Sequence, residues 1–149
     1  MRITISLILI ASYFFSFCQR ISFEDPDLTF SFKKPKNWEV FDDGYVVKAS
    51  PSARDSADTY FTITYFEFAQ PSGSFPTAKP VIESFDKGFT KTKINGIKAK
   101  CIEIKNGEYR TNEYEFVKYG QRFEIKTSAR DPQINRIFRK IIRSILIKR

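Results

Sequence analysis

The stretch Ile94-Asn95-Gly96-Ile97-Lys98-Ala99-Lys100-Cys101-Ile102-Glu103-Ile104-Lys105-Asn106-Gly107 decides the fold. It holds two Asn-Gly steps with a strand-length run between them. Asn-Gly supplies the two positive-φ residues that a tight hairpin turn of the primed type requires. The run therefore predicts a strand over 97–105 with a hairpin at each end. Going forward, residues 109–118 and 122–129 predict two further strands paired around Tyr119-Gly120. In the last of them Phe123, Ile125 and Thr127 face one way, and Arg122, Glu124 and Lys126 the other. Strict alternation of this kind is the mark of a half-buried strand.

Upstream, Val81, Ile82, Phe85 and Phe89 follow a helical period, so a helix is expected over 80–88, with Gly88 at or near its end. Residues 69–76, with Pro71, Gly73 and Pro76, read as a loop. Residues 59–68 carry aromatics on both parities, which predicts a central strand covered on both faces. Residues 50–58 are a polar loop. Asp42-Asp43-Gly44 between two apolar runs predicts another hairpin. Leu28, Phe30 and Phe32 alternate with polar residues as a strand that Lys34-Pro35-Lys36-Asn37 breaks. Residues 19–27 read as a polar leader.

Downstream, Asp131 is a helix N-cap with Pro132 at the first helical position. Ile134, Ile137, Phe138, Ile141, Ile142 and Ile145 form its apolar stripe. Arg136, Arg139, Lys140 and Arg143 lie off that stripe. The whole pattern predicts an α+β domain: an antiparallel sheet of about six to seven strands flanked by two main helices.

The chain starts differently. Arg2 precedes a mostly apolar run to Phe17, too short to span a membrane and followed by no basic stop-transfer cluster. Residues 1–18 are expected to be a secretory signal peptide, and residues 19–149 one domain. Ser16-Phe17-Cys18 fits peptidase cleavage before Gln19. The other route is a lipoprotein with Cys18 lipidated, for which Phe17 is a poor preceding residue. The expected location is thus periplasmic or secreted, with an outer-membrane lipoprotein as the alternative. Either route leaves Cys101 without a disulfide partner, and a lone cysteine in a strand is expected to be a small buried hydrophobe.

Composition excludes much chemistry. The 149 residues contain no histidine, which removes Ser-His-Asp and Cys-His catalysis and His-ligated zinc. There is no P-loop, GxGxxG or CxxC, so no cofactor and no metal site are expected. The net charge is +8, and loss of residues 1–18 removes only Arg2. Lysines and aromatics interleave over 89–105, but an exported protein meets little nucleic acid, and none is expected as a partner.

Three sets of residues invite a functional reading. Glu113 and Glu115 share a strand face and form a carboxylate pair; the competing expectation is that they meet Arg122, Glu124 and Lys126 across the hairpin. Asp55 and Asp58 offer hard oxygen atoms for calcium, while Asp42-Asp43 reads as turn chemistry. The basic helix face of Arg136, Arg139, Lys140 and Arg143 fits an anionic surface.

In order, the motifs resemble the PsbP-like superfamily. The residues concerned are Phe30-Ser31-Phe32 with Pro35-Lys36-Asn37-Trp38, the Ser50-Pro51-Ser52 loop before the strand 59–68, the helix 80–88 leading into Ile94-Asn95-Gly96-Ile97-Lys98-Ala99, and a closing helix with Phe138, Ile141, Ile142, Ser144 and Ile145. The resemblance spans roughly residues 27–147. It implies an antiparallel sheet with flanking helices and a non-catalytic accessory or binding role, and it supplies no site. The histidine-based metal binding of photosynthetic members cannot carry over. The expected function is therefore an exported non-catalytic module that binds an unidentified protein or envelope component. The alternatives are an envelope-surface protein binding anionic lipid or glycan through the C-terminal helix, and a histidine-free carboxylate hydrolase.

Overall fold

Alternation along the central strands builds the main layer. The computed structural model describes residues 18–25, 28–51, 58–66 and 88–149. Seven strands form one antiparallel sheet: β3 (Glu39–Asp42), β4 (Val46–Ser50), β5 (Tyr60–Phe66), β6 (Thr90–Ile94), β7 (Ile97–Asn106), β8 (Tyr109–Lys118) and β9 (Gln121–Ala129). Their order across the sheet is β3-β4-β5-β9-β8-β7-β6. Two of the turns fall where the sequence placed them. Asn95 (φ 46°) and Gly96 (φ 83°) close β6 onto β7, while Tyr119 (φ 54°) and Gly120 (φ 82°) close β8 onto β9. Between β7 and β8 the turn falls one residue later than the Asn106-Gly107 step: Asn106 pairs with Tyr109 as the last residue of β7, and Gly107 (φ 60°) and Glu108 make the turn.

A second sheet of three strands lies outside this prediction. β1 (Gln19–Asp25) and β10 (Leu146–Lys148) flank β2 (Leu28–Lys34), both antiparallel to it. The expected single sheet of six or seven strands is therefore two sheets with ten strands among the described residues. Residues 19–25 of the expected polar leader over 19–27 are in fact β1. Its Ile21 and Phe23 oppose Phe32 and Phe30 and pack against the core, while Arg20, Ser22 and Glu24 face outward. A period-two pattern too polar to stand alone becomes a strand because β2 supplies its partner.

Among the described residues there is one helix, α1 (Pro132–Arg143). Two flanking helices are not supported. Most of the span 80–88 lies within residues 67–87, outside the described residues. Residues 1–17, the loop residues 52–57 with Asp55, and Glu67 and Phe68 of the expected strand 59–68 lie outside them too. The closing helix is shorter than its apolar stripe. Ser144 caps it: its N–H donates to the Ile141 carbonyl (2.9 Å) and its hydroxyl to the same oxygen (2.6 Å). Ile145 is buried beyond the helix, and Leu146–Lys148 is captured by backbone pairing with Ser31, Phe30 and Thr29.

The core lies between the large sheet on one side and α1 with the small sheet on the other. Phe32 packs on Phe61 (5.1 Å between ring centres), Phe30 on Tyr65 (5.5 Å) and Trp38 on Phe138 (5.5 Å). Phe116 and Phe123 stack within the large sheet at 5.0 Å. β5 is central, as its sequence predicts, with Phe61 and Ile63 fully buried. Its other face, with Tyr60, Thr62 and Thr64, is half-buried rather than fully covered. No helix among the described residues is long and apolar enough to cross a membrane.

Candidate anion-binding site

α1 is aimed by both its ends. The Asp131 carboxylate accepts from the Gln133 N–H (2.7 Å), and Pro132 occupies the first turn. Asn135 is buried and donates to the carbonyls of Ala129 and Asp131 (both 3.3 Å), fixing the exit from β9. Phe138, Ile141 and Ile142 face the core. Arg136, Arg139, Lys140 and Arg143 are thereby turned to solvent, and all four are exposed. Lys140 and Arg143 occupy the last turn, where cations complement the helix dipole.

The structure does not treat these four alike. Lys140 and Arg143 line a shallow pocket of about 410 Å³ together with Arg20, Lys33, Asn95, Ser144 and Leu146. Arg136 and Arg139 lie outside it. The pocket is thus built from three places: the last turn of α1, the outward face of the β1–β2 hairpin, and the β6–β7 turn. Ser144 is its hub. Its hydroxyl accepts from the Lys33 N–H (2.8 Å), and its carbonyl accepts from the Arg20 guanidinium (3.3 Å). A second Arg20 nitrogen donates to the Ser31 hydroxyl (2.8 Å). The Asn95 amide donates to the Ile145 carbonyl (2.9 Å), holding the β6–β7 turn against the chain just past the helix.

Among the described residues no carboxylate lies within ion-pair distance of Arg20, Lys33, Lys140 or Arg143. Four cations in one depression without a counter-charge raise the local positive potential and attract anions. Arg20 and Lys33 were not singled out from the sequence. The signal was present in the Arg20-Ile21-Ser22-Phe23 alternation. Its meaning depended on a strand partner and on a helix C-terminus more than a hundred residues away.

The other candidates resolve into structural roles. Glu115 pairs with Arg122 (3.1 Å), and Lys126 bridges Glu124 (2.7 Å) and Glu113 (3.8 Å) across β8 and β9. The Glu124 carboxylate beside it pushes the Lys126 pKa up. Both carboxylates are thus paired with cations on a partly exposed face. Asp42 and Asp43 build the β3–β4 turn. Asp42 accepts from the Gly44 N–H (2.9 Å), and Asp43 from those of Val46 (2.7 Å) and Tyr45 (3.0 Å). These bonds to Val46 and Tyr45 hold the Asp43 carboxyl below its ordinary pKa.

Asp58 is exposed, whereas Asp55 lies outside the described residues. No three His, Cys, Asp or Glu side chains gather as metal ligands among the described residues. Cys101 is half-buried rather than a fully buried hydrophobe and sits opposite Tyr114 in the β7–β8 register. Burial pushes its thiol pKa up, and burial pushes Tyr114 up to about 12, so both are neutral at physiological pH. Cys18 is exposed immediately before β1.

Sheet order and the flanking helix define an α+β protein, and the structures it resembles make its fold PsbP-like. The chain is similar to the solution structure of cyanobacterial PsbP (CyanoP) from Synechocystis sp. PCC 6803, with a TM-score of 0.59 and 16% identity over 89% of this chain and 94% of that one. It is also similar to a crystal structure from Bacteroides thetaiotaomicron VPI-5482, with a TM-score of 0.56 and 15% identity. That match covers 80% of this chain, which spans 45% of the Bacteroides chain. No family model and no curated protein matches. At these identities the likeness establishes the fold.

Proposed function

We propose that this protein is an exported accessory module that binds an anionic group in the pocket formed by Arg20, Lys33, Lys140 and Arg143, and that it catalyses no reaction. The observation that carries this reading is the convergence of four cations with no carboxylate partner among the described residues. The PsbP-like fold supports an accessory role. The commitment of Glu113 and Glu115 to ion pairs speaks against a carboxylate hydrolase.

Two measurements test the proposal. Titrating isotope-labelled protein with inorganic phosphate is expected to shift the amide resonances of Lys33, Asn95, Arg143 and Ser144. Shifts confined to other parts of the chain overturn the site. Intact-mass analysis of the protein from its own cells is expected to show a chain that starts at Gln19 or a lipidated Cys18. An unprocessed Met1 overturns the export reading.

A further inference from the structure

Building on the anion-binding reading above, we propose that the pocket docks on the phosphate headgroups of a lipid bilayer, with the face carrying Cys18 turned to the membrane. Three observations point the same way. First, the pocket is open and includes Leu146, an apolar side chain 37% exposed among the cations. A site for a small free anion gains nothing from an exposed leucine, whereas a bilayer interface accepts cations and an apolar side chain together.

Second, Cys18 is exposed and precedes Arg20 by two positions. In an extended chain, residues two apart emerge on one face about 7 Å from each other. The chain therefore enters the domain at the pocket. A lipid on Cys18 would bring this face to the headgroups with almost no slack. Cleavage before Gln19 would instead place a new positively charged amine beside the same cations. Third, the acidic side chain on that face of β1 is Glu24, which lies four residues on, about 13 Å from Arg20. That is beyond the Debye length of about 8 Å at physiological salt, so it does not cancel the pocket's charge.

The geometry also distinguishes this mode from a helix lying flat on the surface. Arg136 shares the solvent face of α1 with Arg143 but sits seven residues up the helix, about 10 Å along the axis. Docking through the pocket engages Arg143 strongly and Arg136 weakly. A helix lying flat engages both.

The test is co-sedimentation of the cell-processed protein with vesicles of phosphatidylglycerol and phosphatidylcholine mixed one part to three, and with phosphatidylcholine alone. Binding is expected to the anionic vesicles and to fall steeply with added salt. A cation close to such a surface contributes about fivefold in binding. Arg143→Glu is therefore expected to lower binding on the order of tenfold or more, and Arg136→Glu less than about threefold. Lys140→Gln, a mild change at an exposed position, is expected to lower it about fivefold, which keeps the result readable if the charge reversal harms folding.

Equal losses in Arg136→Glu and Arg143→Glu overturn docking through the pocket. Binding that ignores salt and survives Arg143→Glu overturns it as well. Absence of vesicle binding, with inorganic phosphate still shifting Arg143 and Ser144, overturns the lipid partner and leaves the anion site standing. Loss of both responses overturns the two together.

Discussion

The Arg20 guanidinium donates to the Ser144 carbonyl at 3.3 Å, a bond that spans 124 positions of chain. It ties the first strand to the C-terminus of α1. Together with the Lys33 N–H bond to the Ser144 hydroxyl, it makes one serine the joint between the small sheet and the helix. The pocket of Arg20, Lys33, Lys140 and Arg143 is assembled around that joint.

Ser144→Ala removes the hydroxyl that accepts from Lys33 and donates to Ile141. The Lys33 N–H is near solvent, so water replaces part of the loss. The expected cost is about 1 kcal/mol. Urea unfolding reads it as a lower midpoint with an unchanged slope, and phosphate binding weakens with it because Lys33 loses its tie to the end of α1.

Lys34 points inward from β2 and is only 6% exposed. Its ammonium donates to the carbonyls of Trp38 (2.7 Å), Pro35 (3.2 Å) and Lys36 (3.4 Å). It folds the 35–38 turn back under the strand. Lys34→Met keeps the aliphatic stem and strands these carbonyls, so a loss of about 2–3 kcal/mol is expected. A chemical-denaturation midpoint within error of the wild type would contradict this role.

Trp38 and Phe138 meet edge to face at 5.5 Å and join the 35–38 turn to α1. Phe138→Ala is expected to cost about 3–5 kcal/mol. A double-mutant cycle with Trp38→Ala is expected to return a coupling of about 1 kcal/mol for the ring pair. Additive losses would mean that the rings act through separate contacts.

Burial raises Tyr114 from its ordinary pKa near 10 to about 12. The unfolded chain ionises first as pH rises, so the native state holds the proton longer. The stabilisation is complete below about pH 10 and is lost as pH rises toward about 12. Tyr114 is only partly buried, so solvent screening reduces the effect to about 1–2 kcal/mol. Burial also raises the Cys101 thiol pKa. Denaturation midpoints across that window are expected to fall more steeply in the wild type than in Tyr114→Phe. Parallel curves would remove Tyr114 as the cause.

The hairpins were legible because a turn is a local event. Asn95-Gly96 needs two residues that tolerate positive φ, and the sequence has them side by side. The helix start was legible for the same reason, since Asp131 and Pro132 act within one turn. The helix end was not. Ile145 continues the apolar stripe of α1, and no glycine interrupts it; the chain leaves the helix because β2 offers residues 146–148 a strand partner. β1 was missed because its inward side chains, Ile21 and Phe23, gain a buried face only when Phe32 and Phe30 lie opposite.

The sequence by itself determined the antiparallel meander from Thr90 to Ala129, the amphipathic closing helix, the ion-pair setting of Glu113 and Glu115, and the exclusion of histidine chemistry. Each depends on side-chain period, turn preference or the presence of a residue type. Tertiary structure alone decided that there are two sheets and that the basic residues of α1 divide into two pairs. It also placed Arg20 and Lys33 beside Lys140 and Arg143. Charge convergence depends on distances through space. Here those distances were set by the antiparallel pairing of β1, β2 and β10 at the helix C-terminus, which no local signal encodes.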